Sequence, residues 1–359
     1  MTKSIINIEN IDFKKEPIFF GKPLNLQRYD DPKYPVFFEF FKKQLGFFWR
    51  PEEVNLGGKD KNDFNDLSDH QKFIFTKNLS YQILLDSIQS RGISHLLEDV
   101  SSPEVEAFAK SWEFFETLHS YSYTYIIKQI YANPTKIFDS ILEDKEVLKR
   151  TSSVTKYYDD LINSIPDDSE YNKKKKLYLT IMSINILEGI RFYVSFACSF
   201  AFAENKKMEG NAKVISLIAR DENLHLGFTQ YILNLFRKDG KEGFKEIVED
   251  CEDIVVKMFK DAATEEIEWA DYLFEGGSML GLNAEILKKY MMWLTNTRMK
   301  AIGLQPIFEK TQNPITWINN WISSKGVQSA PQETEIDSYV IGSVKQDLDN
   351  TNFDEFDDL

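Results

Sequence analysis

At 359 residues with 42% apolar side chains, the chain can bury a large core, and its 16 Gly and 11 Pro are too few for a many-turned sheet architecture. The net charge of −14 excludes a basic nucleic-acid-binding surface. Two cysteines, Cys198 in an apolar run and Cys251 beside acidic residues, occur without a CxxC pair and read as reduced thiols of a cytosolic protein.

Along the chain, the opening MTKSIINIENIDFKKEP has no apolar signal core. Ser68 and Gln71 form a capping box, which predicts a helix to about Arg91. A second helix starts at Ser102–Pro103, with proline in the first turn, and stops before Asn133–Pro134. A third is expected from about Asn172 to Met208 and a fourth from Asn211 to about Lys238. Two more cover roughly Phe244–Phe274 and Asn283–Ile302. Helices this long, without strand alternation, predict an all-α bundle around one core. Leu177–Ala203 is long enough to cross a bilayer, but Glu188 and Arg191 interrupt it and no second span exists. A fully buried bundle helix is therefore expected, with no membrane association. Near residue 322 the helical stripe ends. Six acidic and no basic residues lie between Asp347 and Leu359. This predicts a division into a helical domain, 1–322, and a flexible acidic tail, 323–359. Phe353, Phe356 and Leu359, three apart, give that tail the look of a docking peptide.

The chemistry resides in a repeated Glu-x-x-His. The chain has four histidines, and two of them follow a glutamate by three: Glu116/His119 and Glu222/His225. Residues three apart share a helix face, so each pair aims a carboxylate and an imidazole at one spot. Two such helices, with one carboxylate from each of two others, make the dimetal site of ferritin-like bundles. Glu188, alone in the apolar helix, and Asp86, in SYQILLDSIQ, supply the two extra carboxylates. A buried carboxylate needs a metal or a cation, and Arg191 at i+3 is the competing partner for Glu188. Carboxylates with two imidazoles suit iron or manganese better than zinc. His70 and His95 lack such a glutamate and read as structural or surface residues. Of the nearby tyrosines, Tyr123 lies roughly 40° from His119 and about 20° from Glu116 around the helix, while Tyr121 and Tyr125 face away. Tyr123 is either a core aromatic over the site or a phenol that the metals oxidise.

With these residues placed, the chain resembles the small, radical-generating (β) subunit of class I ribonucleotide reductase, most like class Ia. The resemblance runs from KEPIFFGKP near the start to the acidic tail, through KQLGFFWRPEEV, NLSYQILLDSIQ, ETLHSYSYTYII, LEGIRFYVSFACSFAFAE, EGNAKVISLIARDENLHL and SYVIG. It implies a ferritin-like fold in which Asp86, Glu116 and His119 ligate one metal and Glu188, Glu222 and His225 the other. It implies a radical on Tyr123, shielded by a pocket of Phe192, Phe196 and Ile218. It implies a radical-transfer route through Trp49 and Asp221, then Tyr339 in the tail with Glu333 upstream of it. Two iron ions per chain are expected, with two manganese ions as the alternative. The expected partners are a second copy of the chain and the large catalytic subunit, docked through the tail, and the expected compartment is the cytoplasm. The function implied is that of a ribonucleoside-diphosphate reductase subunit, which forms a tyrosyl radical and lends it to the large subunit. A stand-alone dimetal oxidase or hydroxylase is the alternative. An iron-handling ferritin-like protein would need neither the tyrosine nor the relay, and an inactive scaffold would not need the full ligand set.

Overall fold

Side-chain caps written in the sequence set where the helices begin. The computed structural model describes residues 6–164, 168–238 and 240–322. The helices in chain order are α1 (Pro35–Leu45), α2 (Lys59–Asp66), α3 (Asp69–Leu96), α4 (Pro103–Ile130), α5 (Pro134–Ile141), α6 (Lys145–Ile162) and α7 (Glu170–Ile186). A π-helical turn (Leu187–Arg191) leads into α8 (Tyr193–Glu204), followed by α9 (Glu209–Lys238), α10 (Lys245–Asp250), α11 (Glu252–Phe274), α12 (Ala284–Ala301) and α13 (Asn319–Ile322). Among the described residues there is no strand, only two isolated β-bridges. The fold is an all-α, ferritin-like bundle.

The capping box is present: Gln71 N–H donates to Ser68 Oγ (3.2 Å) and Ser68 N–H to Gln71 Oε1 (3.1 Å). Ser102 caps α4, with Pro103 at its first position. The start of α9 is capped from another helix. Asp60 on α2 accepts from the backbone N–H groups of Gly210 (3.0 Å) and Asn211 (2.5 Å), and Asp63 accepts from Met208 (2.9 Å). Two carboxylates at a helix N-terminus complement its partial positive charge. Here they fix the helix that carries Glu222 and His225.

Three expectations change. The single helix over Asn172–Met208 is α7, the π-turn and α8; it begins after the Ser169 cap and ends at Glu204. It ends there because Lys206 (φ 58°) and Met208 (φ 53°) adopt left-handed backbone, which reverses the chain into α9. The helix over Phe244–Phe274 is interrupted at Cys251. The first helix extends five residues past Arg91, to Leu96. The apolar run within Glu170–Glu204 is buried along its most apolar window, in the position of a core helix. It packs against α9, while α3 packs against α4 and α8, so four helical segments face one another around the centre of the core.

Candidate metal centre

Each of those four segments delivers ligand-type side chains to one place. Asp86 comes from α3, Glu116 and His119 from α4, Glu188 from the π-turn, and Glu222 and His225 from α9. All six are fully buried. They form two overlapping sets, Asp86/Glu116/His119/Glu222 and Glu116/Glu188/Glu222/His225, within each of which the ligand atoms lie within 4.8 Å of one another. These sets overlap where the expected triads do not: Glu116 and Glu222 belong to both. Arg191 does not neutralise Glu188. Its guanidinium turns away to Glu265 Oε2 (2.7 Å) and Ser153 Oγ (2.8 Å).

Most inner atoms of the cluster lack a hydrogen bond, the pair His225 Nδ1 and Glu222 Oε2 excepted. Both oxygens of Asp86, Glu116 Oε2, Glu188 Oε2, Glu222 Oε1 and His119 Nδ1 are buried without a hydrogen bond. His119 Nδ1 nonetheless lies 3.1 Å from Glu222 Oε1, and His225 Nδ1 lies 3.1 Å from Glu116 Oε1 and 3.0 Å from Glu222 Oε2. Four carboxylates brought together in a dry core repel one another and forfeit hydration. Burial, and then the Glu222 and Glu116 charges, raise the pKa of Asp86 and of Glu188 well above the carboxylate range. Burial also opposes charge on the two imidazoles, but Glu222 and Asp221 outweigh it at His119, and Glu116 and Glu222 at His225, so both are raised. For Glu222 burial is overcome by Glu188 and the two histidines, and its pKa falls below the usual range. Six oxygen and nitrogen donors converging without thiolate fit a pair of iron or manganese ions.

The outer atoms, in contrast, are tied. His119 Nε2–H donates to Asp221 Oδ2 (3.1 Å), which also accepts from Trp49 Nε1–H (2.8 Å). That contact turns His119 Nδ1 inward, as such partners commonly do for ligating histidines. Asp221 Oδ1 accepts from Arg220 (3.3 Å), whose guanidinium lies over the Phe47 ring. The Gln44 amide bridges His225 Nε2 (2.7 Å) and Ser111 Oγ (2.7 Å). Trp112 Nε1–H donates to Glu116 Oε1 (2.7 Å), and Gln89 Nε2–H to Glu188 Oε1 (2.5 Å). Gln44, Trp112 and Gln89 were missed in the sequence. Trp112 and Gln89 lie at i−4 from Glu116 and i+3 from Asp86, a signal legible once the ligands are assigned. Gln44 sits on α1, which no motif links to the site.

Tyr123 is fully buried, and the polar group its hydroxyl faces is the Asp86 carboxylate. Burial, then the Asp86 and Glu222 charges, raise its pKa well above that of an ordinary phenol. Tyr121 is exposed and bonds Glu52, and Tyr125 donates to the Val54 carbonyl (3.0 Å), so both face away as expected. Phe192, Phe196 and Ile218 are fully buried, with the two phenyl rings stacked 5.5 Å apart. His70 bonds the Gly277 carbonyl (2.9 Å) and His95 lies 3.4 Å from Glu98, both away from the cluster. Tyr339 and Glu333 lie outside the described residues.

The family described as "Ribonucleotide reductase, small chain" matches residues 27–314. The ribonucleoside-diphosphate reductase subunit beta of Buchnera aphidicola from Baizongia pistaciae is 49% identical, over 95% of this chain and 96% of the relative. The ribonucleoside-diphosphate reductase 1 subunit beta of Escherichia coli O157:H7 is 48% identical, over 96% of each chain. Among solved structures, the ribonucleotide reductase R2 subunit from Clostridium botulinum superposes with a TM-score of 0.80 at 28% identity, covering 90% of this chain and 98% of that one.

Proposed function

The chain belongs to the ribonucleotide reductase small-chain family, and from that premise we propose how its residues divide the work of an oxidoreductase β subunit. The family resemblance favours this reading over a stand-alone oxidase. One observation carries the assignment of the centre: the unpartnered inner atoms of Asp86, Glu116, His119, Glu188 and Glu222 converge in a dry core. With His225, these residues would hold two iron ions, or two manganese ions as the alternative. The chemistry such a pair supplies when bound is reduction of dioxygen coupled to one-electron oxidation of a neighbouring phenol.

That phenol is Tyr123. Its hydroxyl faces Asp86, so that carboxylate is the group toward which its proton leaves. Phe192, Phe196 and Ile218 exclude water and reductants from the radical. The His119–Asp221–Trp49 hydrogen-bonded chain is the start of the radical-transfer route, since it joins a metal ligand to a buried indole through one carboxylate. Beyond Trp49 the route continues through Tyr339, with Glu333 upstream of it. Residues 323–359 form the tail that docks on the large subunit, and residues 1–322 form the radical-generating domain. A second copy of the chain completes a homodimer. The working compartment is the cytoplasm.

The test is anaerobic loading of the metal-free chain with Fe(II), admission of oxygen, and low-temperature EPR beside Tyr123→Phe. A tyrosyl signal in the wild type and none in the variant is expected. A signal of equal size in the variant sinks the assignment of Tyr123. Deleting residues 340–359 leaves metal binding and the radical intact and abolishes activity with the large subunit. Activity retained at ordinary subunit concentrations overturns the docking role.

A further inference from the structure

Glu188 is the ligand-type residue with the least conventional backbone beneath it, since the π-turn departs from regular α-helical hydrogen bonding. Its side chain is steadied from outside. Gln89, three residues beyond Asp86 on α3, donates from Nε2 to Glu188 Oε1 (2.5 Å), and Tyr158 on α6 donates its hydroxyl to Gln89 Oε1. All three residues are buried. The direction of this chain is fixed at the carboxylate end, since an ionised Glu188 can only accept whereas a phenol can do either. With the amide nitrogen donating to Glu188 Oε1, the amide oxygen faces Tyr158 and accepts from its hydroxyl. Glu188 Oε2 is left without a partner, among the atoms of the Glu116/Glu188/Glu222/His225 set.

A second observation shows that α3 makes room for this arrangement. A Cβ at Gly92 would lie 2.2 Å from the Tyr158 ring. A mid-helix glycine is unfavourable relative to alanine, and here it admits a phenol to the interior.

We propose that Gln89 and Tyr158 are positioning residues, which tie down Glu188 Oε1 so that Oε2 alone is presented to the metal shared with His225. The proposal rests on the dimetal reading of the centre. Without the tie, Glu188 would be free to swing toward Glu222, its neighbour in the cluster. Gln89 and Tyr158 contact no reacting atom, and they act only through Glu188.

The test is an anaerobic Co(II) titration of the metal-free full chain, followed by ligand-field absorbance and bound equivalents. The wild type takes up two equivalents. Gln89→Leu keeps one equivalent at wild-type affinity and weakens the other roughly 10–100-fold, the usual effect of losing an outer-shell partner. Tyr158→Phe, which keeps the ring, weakens the same equivalent by a smaller factor. Gly92→Ala displaces the phenol without removing a hydrogen-bonding group and acts in the same direction. Two equivalents of unchanged affinity in folded Gln89→Leu and Tyr158→Phe overturn the inference. If Gln89→Leu does not fold, Tyr158→Phe decides by the same criterion. Fewer than two equivalents in the wild type overturns the dimetal reading itself, and the inference with it.

Discussion

Two buried polar clusters share helices α3 and the π-turn and follow opposite rules. At the metal centre the outer atoms are bonded and most inner ones are not. A few residues away, Arg191, Glu265, Ser153, Arg150, Tyr81 and Glu266 form a second cluster. There Arg191 Nη1 donates to Glu265 Oε2 (2.7 Å), Ser153 Oγ donates to the same oxygen (3.0 Å), and Tyr81 donates to Glu266 Oε1 (2.6 Å). Opposite charges meet in the second cluster, where Glu266 Oε2 is the one buried atom left without a hydrogen bond, whereas the first brings four carboxylates together with two imidazoles and no lysine or arginine among its ligand sets. A buried network whose charges are matched within the protein holds elements together. One whose unmatched atoms point at a common centre is built for a guest. Glu188 and Arg191, three residues apart, stand on either side of that distinction.

The largest expected effect is on the first cluster. A metal bound at about 1,000 times its Kd adds about 4 kcal/mol to the stability of the folded wild type. Asp86→Asn should lose that increment while leaving the metal-free protein no less stable. Burial and the Glu222 and Glu116 charges raise the Asp86 pKa, so its neutral form is the one that suits the fold and its ionised form costs stability as pH rises above the unfolded value. Denaturant melts with and without Mn(II) check both halves. A metal-free variant clearly weaker than the wild type would mean that Asp86 has a structural partner.

Next is the second cluster. Glu265→Leu leaves Arg191 buried beside apolar carbon and should cost about 3 kcal/mol. The loss should be the same with and without metal. A loss that appears only in the loaded protein would join the two clusters into one functional unit.

The smallest effect is a pH dependence. Burial, opposed by Arg191, Tyr81 and Arg150, pushes the Glu266 carboxyl up to about 8. A raised carboxyl binds its proton more tightly folded than unfolded, so stability is full below its unfolded pKa and falls as pH climbs toward 8. Glu266→Gln keeps the acceptor for Tyr81 and removes the titration. Its stability relative to wild type should therefore rise between pH 6 and pH 8, by about 2 kcal/mol. A difference that stays flat over that range would place an ionised Glu266 in the fold.

The amino-acid sequence by itself determined the helical class, the principal caps and all six ligand-type residues. Helix faces are local: three residues always bring Glu116 beside His119, whatever surrounds them. Ser68, Ser102 and Asn283 cap through contacts no farther than one turn away. The α6 stripe of Val147, Thr151, Val154, Tyr158 and Leu161 is equally local, although α6 carries no ligand-type residue of the cluster. Only the tertiary structure decided that Arg191 belongs to Glu265, that Glu116 and Glu222 serve both ligand sets, and that Gln44 and Asp60 act on α9. Those choices depend on which helices become neighbours across 74 to 181 residues of chain, a matter settled by packing of apolar faces and not by any spacing within one helix.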